Sequence, residues 1–114
     1  MIQPQELRLG NILEQGVVTR LQEMSARIMS ADGKYAFVHY EDLEPIPLTE
    51  EWLIKLGFHE VLGVYAGYGR EINLKLVDGY WDAYFKGKYV SVIKHVHQLQ
   101  NLFYSITGHE LTLK

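Results

Sequence analysis

Two Asp-Gly dipeptides, Asp32-Gly33 and Asp78-Gly79, constrain this chain more than any other feature. A two-residue hairpin loop of type I′ needs positive φ at both central positions, and Asp-Gly meets that need at low steric cost. Around Asp78-Gly79 such a turn pairs Leu76 with Trp81, Leu74 with Ala83 and Ile72 with Phe85, and on the opposite face Lys75 with Asp82 and Val77 with Tyr80. One register thus gathers the large apolar side chains on one face and sets opposite charges across the other. The same turn at Asp32-Gly33 sets Ile28 opposite Phe37 and Ser30 opposite Tyr35. Two antiparallel β-regions are expected.

Other segments fill in around these hairpins. Residues 7–13 read as an entry strand broken at Gly10, and 17–21 as a strand rich in β-branched residues. Glu41-Asp42-Leu43 reads as a single turn of helix before a short strand at Glu44–Ile46. Four strands, a tight helical turn and a fifth short strand is the order of an SH3-like or Tudor-like small barrel, an analogy at the level of fold. Next, Thr49 is suited to cap a short helix, Leu48 and Leu53 to staple it, and Gly57 to end it. Residues 58–90 read as a meander. Ile93, Val96, Leu99, Leu102, Phe103 and Ile106 recur at helical spacing, with Gly108 as the stop. The helix start falls at Ser91 or near Lys94, and 111–113 reads as a last edge strand. The expected fold is α+β: an SH3-like barrel over 1–47, then a bridging helix, β-meander and C-terminal helix over 48–114.

Composition narrows the function classes. The 114 residues include no cysteine, which excludes thiolate metal sites, iron–sulfur clusters and cysteine nucleophiles. The net charge is −3, against the basic balance usual in a phosphate-backbone binder. It is unevenly spread: residues 1–56 carry nine acids and five bases, residues 57–114 five acids and six bases. No apolar run approaches the roughly 20 residues of a membrane span, and the first residues lack a signal-peptide pattern, so a cytoplasmic protein with no membrane partner is expected.

The run from Val96 to Leu111, Val-His-Gln-Leu-Gln-Asn-Leu-Phe-Tyr-Ser-Ile-Thr-Gly-His-Glu-Leu, resembles the C-terminal signature of a family of small bacterial prophage and mobile-element proteins. The opening Glu6–Asn11 and the middle Leu43–Leu53 are similar to the same family. The resemblance implies a bacterial intracellular setting and a phage origin. It transfers no reaction and no catalytic residue.

Candidate chemistry is sparse. His95 and His97 lie about 200° apart if both are helical and then cannot share one metal ion, and no other histidine has ligand spacing to them. The glycines of 63–69 lack a phosphate-loop pattern. No serine sits in a nucleophile elbow, so neither catalytic residues, metal nor cofactor is expected. Two surfaces stand out instead. One is for a protein partner: the acidic Glu41, Asp42 and Glu44, beside loops at Glu14–Gly16 and Gln22–Ser25, with the uncharged polar side of the last helix, His97, Gln98, Asn101 and Ser105. An ordinary exposed helix face carries charges, so this amide-rich side implies burial against the first domain or in a subunit contact. The rival is a nucleic-acid surface made of Lys75, Tyr80, Tyr84, Lys86 and Lys88, unless a helix covers that face. The leading reading is a non-enzymatic protein-interaction module.

Overall fold

The computed structural model describes residues 2–113. Among the described residues nine strands form two antiparallel sheets, with two α-helices, and the chain is a small α+β protein. Two compact units divide it: Met1–Pro47 with His95–Glu110, and Leu48–Lys94 with Leu111–Lys114. The C-terminal helix, expected to close the meander, groups with the first unit.

In unit 1, β1 (Ile12–Leu13), β2 (Gly16–Leu21), β3 (Ser25–Met29) and β4 (Tyr35–His39) form a sheet in that order. The entry strand is shorter than expected because residues 8–11 make a polar turn. The Asn11 side chain accepts the Arg8 N–H at 2.7 Å, and the Asn11 N–H donates to the Arg8 carbonyl at 3.1 Å. A 3₁₀ turn at Tyr40–Asp42 follows β4, as the sequence predicts, and Leu13 makes an isolated bridge with Pro45. Ile2, Leu7, Leu13, Val18, Ala26, Ile28, Tyr40 and Leu43 form the core cluster.

The first hairpin is offset by one residue from its expected register. Ile28 pairs with Ala36 and Met29 with Tyr35, while Phe37 lies opposite Arg27 and is exposed. The Ser30 N–H donates to the Lys34 carbonyl at 2.8 Å, so the loop is Ala31-Asp32-Gly33. Gly33 has φ +85° whereas Asp32 is not left-handed. This is the three-residue loop with a single left-handed position. Asp32 favours it by accepting the Ser30 hydroxyl and the Lys34 N–H. The Ser30 hydrogen bond, first among the causes, lowers the Asp32 pKa.

The helix α2 (Val96–Thr107) begins after His95, which is extended, and the His95 N–H donates to Gln98 Oε1 at 3.0 Å. Gly108, at φ +75°, ends it.

Unit 2 opens with α1 (Glu50–Lys55), where Thr49 Oγ1 accepts the Trp52 N–H at 3.3 Å. A five-stranded meander follows: β5 (His59–Val61), β6 (Val64–Gly67), β7 (Ile72–Val77), β8 (Tyr80–Phe85) and β9 (Lys88–Ile93). The second hairpin has the expected register at every pair from Ile72–Phe85 to Val77–Tyr80. Asp78 and Gly79 are both left-handed, at φ 48° and 84°. One face of the sheet carries the buried Tyr65, Ile72, Leu74, Trp81, Ala83 and Ile93. Trp81 Nε1–H donates to the Leu48 carbonyl at 3.0 Å, and Tyr65 meets Trp81 edge to face with centroids 5.7 Å apart. Burial, with Glu50 nearby, pushes the Tyr65 hydroxyl up. Residues 111–113 form no strand, although Leu111 is buried.

Candidate functional site

Of the three loops singled out for protein binding, the segment 40–44 adjoins each of the other two in unit 1. The Gln15 amide donates to the Asp42 carbonyl at 2.7 Å and accepts the Glu44 N–H at 3.1 Å, and the Glu14 N–H donates to the Glu44 carbonyl at 3.0 Å. On the other side, the Tyr40 N–H donates to the Met24 carbonyl at 3.4 Å and its hydroxyl to the Gln22 carbonyl. The backbones of 14–16, 22–25 and 41–44 are therefore held by their own polar groups. Glu14, Glu23, Glu41, Asp42 and Glu44 are all exposed, and the three loops contain no base. Beside this acidic rim is a cleft of about 240 Å³ lined by residues 2–4, Glu23, Met24, His39, Tyr40 and Glu41. Met24 adds apolar surface there, 68% exposed.

The polar side of α2 is not part of that surface. Gln100 is 2% exposed; its Nε2 donates to the Gly10 carbonyl at 3.1 Å and its Oε1 accepts the Ile12 N–H at 2.8 Å. Asn101 Nδ2 donates to the Glu6 carbonyl at 2.6 Å, while its Oδ1 accepts from Asn11 Nδ2 at 2.9 Å and Arg8 Nη1 at 3.2 Å. Arg8 also bonds Glu110 and stacks 3.8 Å from the Tyr104 ring centroid. Two helix amides thus satisfy backbone groups of Glu6, Gly10 and Ile12 in the irregular 6–12 segment. Of the residues assigned to a contact, His97 is buried, Asn101 and Gln98 are half-buried, and only Ser105 is exposed. The amide side is explained by packing within unit 1, the first of the two explanations the sequence allowed.

His97 is the anomaly. It is 1% exposed, and neither ring nitrogen has a hydrogen-bond partner among the described residues. Glu6 Oε1 is 3.7 Å from Nε2. Burial holds its pKa below the ordinary value, opposed by Glu6 and reinforced by His95. The helical-angle argument against a shared ion fails in its premise, because His95 is extended. The two rings are stacked with centroids 5.8 Å apart. Among the described residues no group of three or more potential metal ligands occurs.

The nucleic-acid candidates lie in unit 2, on or beside the sheet face opposite Trp81. Lys75 and Tyr84 line a groove of about 450 Å³ together with Val61, Val64, Ala66, Arg70 and Asn73. Tyr84 meets Tyr89 edge to face at 5.8 Å. Tyr80 is exposed and lies beneath the Lys94 ammonium, 4.6 Å from its ring centroid. Lys86 is 5.3 Å from the Phe85 ring centroid, and Lys88 is exposed. The structure groups Lys75 with Tyr84 and adds Arg70, which the sequence reading missed. Its signal was the glycine-rich stretch at 63–69, which the sequence reading weighed only against a phosphate loop.

No helix of the described residues is long and apolar enough to cross a membrane. No family model matches the chain, and neither the curated proteins nor the solved structures give a match to it.

Proposed function

We propose that the protein is a non-enzymatic interaction module that binds a basic segment of a protein partner on the acidic rim of unit 1. The observation that carries this reading is that segment 40–44 adjoins both loop 14–16 and loop 22–25, and that the three together present five exposed carboxylates and no base. Such a surface attracts a cationic segment and steers its approach. The Met24 side chain and the adjoining cleft give the aliphatic stem of a lysine or arginine an apolar place to lie. In this reading unit 1 works as SH3-like modules do, presenting its loops to a partner. The setting is the bacterial cytoplasm, and the role that of an accessory protein of a prophage or mobile element, in keeping with the resemblance of the C-terminal run.

The test is a chemical-shift titration of the labelled protein with a short arginine- and lysine-rich peptide. Shifts are expected at Glu23, Met24, His39, Glu41, Asp42 and Glu44. They should fade as salt is raised and vanish in the double variant Glu41→Lys, Asp42→Lys. Shifts spread over the surface, or none at low salt, would reject the reading.

A further inference from the structure

We infer that the open face of the unit 2 sheet holds a second site, which takes single-stranded nucleic acid. The groove there has a floor of Val61, Val64 and Ala66 from β5 and β6, and Asn73, Lys75 and Tyr84 from β7 and β8. Arg70 stands at its edge. Of its charged lining residues, both are cations. Although Lys75 pairs in register with Asp82, no ion pair joins them, and neither Lys75 nor Arg70 has a carboxylate within ion-pair distance among the described residues. Two unneutralised cations over an apolar, aromatic floor match an anion that also carries flat apolar faces. A nucleotide strand is such a ligand: its phosphates meet the cations and its bases stack on aromatic rings.

Two further features favour a strand over an acidic peptide. Tyr84 is held edge-on by Tyr89, which fixes a ring in the groove rather than leaving it free to rotate. Lys86 and Lys88, both exposed, flank Gly87, another groove residue, and add two cations beside the groove for further phosphates. The turn that supplies Arg70 is itself unusual. Tyr68, Gly69 and Arg70 are successively left-handed, at φ 51°, 65° and 71°. Left-handed φ is uncommon for tyrosine and arginine, and held strain of this kind concentrates at functional sites. Asn73, in the groove, donates from Nδ2 to the Arg70 carbonyl at 3.3 Å. The residue that lines the floor therefore also anchors the strained turn.

Fluorescence anisotropy of a labelled oligothymidylate of about 12 nucleotides, titrated with the full chain at low salt, tests the site. Saturable binding is expected, with a log–log salt slope of about −3 if four cations contact phosphate. Arg70→Gly removes one cation while easing the backbone, and Lys75→Gln removes another from an exposed position. Each should weaken binding about tenfold, as should Tyr84→Ala, whereas Tyr84→Phe should retain it. Lys34→Gln, in unit 1, should change nothing. Absence of binding at low salt would overturn the proposal. So would binding indifferent to both Arg70→Gly and Lys75→Gln while circular dichroism shows the fold intact. Equal competition by a polyglutamate peptide would assign the groove to acidic protein segments instead.

Discussion

The same dipeptide turns the chain differently in the two units. In unit 2, Asp78 and Gly79 are both left-handed and close a two-residue loop. In unit 1, Asp32 keeps an ordinary φ, and only Gly33 is left-handed. The difference lies in the neighbours. Asp32 has Ser30 two residues before it and accepts its hydroxyl, a local bond that competes with the tighter turn. Asp78 has Leu76 at that position and no such donor. In unit 2 the strands impose the register, because Leu74, Trp81 and Ala83 must all face inward together. In unit 1 β4 places only Val38 against the core, so the strand exerts little leverage on the turn.

This contrast is broken most forcefully at the paired aromatics. Trp81 and Phe37 are each an aromatic expected to face a large apolar residue across its hairpin, Leu76 and Ile28, yet Trp81 is 3% exposed and Phe37 56%. Trp81→Ala should cost about 3–5 kcal/mol, since it opens a cavity and leaves the Leu48 carbonyl without its donor. Phe37→Ala should stay within about 0.5 kcal/mol. Urea unfolding followed by circular dichroism compares them. A costly Phe37→Ala would mean that β4 packs in solution as the two-residue turn predicts.

The units also differ in what ties them together. Unit 2 relies on an apolar sheet face, whereas unit 1 joins its helix to the 6–12 segment through amides. Asn101→Ala should therefore cost about 1–3 kcal/mol, because Asn11 Nδ2 and the Glu6 carbonyl both lose their partner. Hydrogen exchange should show amides of residues 8–12 opening first. Unchanged protection there would mean that the amide row orders nothing.

The buried histidine gives unit 1 a sensitivity to acid. His97 has a folded pKa below its unfolded value, so the unfolded state binds more protons as the pH falls. Its contribution is complete above the unfolded value of about 6.5 and is lost as pH drops below that toward the folded pKa. Unfolding midpoints measured across this window should fall with pH in the native chain and fall less in His97→Gln. Glu6 and His95 face the ring, so Glu6→Gln should steepen the loss. Parallel curves for all three proteins would place the pH dependence elsewhere.

Legibility in the sequence followed how many independent constraints met at a residue. Asp78-Gly79 could be read because turn geometry, alternation on both strands and the Lys75–Asp82 register agreed. The helix ends at Thr49, Gly57 and Gly108 were legible for a similar reason, each being a local chemical need. The acidic rim was legible because its carboxylates, at 14, 23, 41, 42 and 44, fall in turn segments that contain no base. What escaped depended on distant partners. Nothing near Asn101 announces Asn11 and Glu6, and an uncharged helix side says that it is covered but not by what. Arg70 was missed because left-handed φ in a non-glycine residue is imposed by its surroundings. The grouping of α2 with unit 1 was equally hidden, since the segment it packs on lies some ninety residues away in the chain.

The smallest effect separates the two turns most cleanly. At position 78 an aspartate occupies left-handed backbone, which costs an L-residue about 1–2 kcal/mol. Asp78→Gly removes that strain but adds unfolded-state freedom of about 0.5–1 kcal/mol, so a net gain of about 0.5 kcal/mol is expected. At position 32 there is no strain to relieve. Asp32→Gly loses the bonds to Ser30 and Lys34 and should destabilise the fold, the opposite sign. The depressed Asp32 pKa supplies an independent check. Its carboxylate favours folding above the unfolded value of about 3.9, and that contribution fades as the pH falls through the folded pKa. The gap between the two glycine variants should therefore narrow in acid as the Asp32 carboxylate takes up its proton. Equal signs for both substitutions at neutral pH would mean that the two loops share one conformation after all.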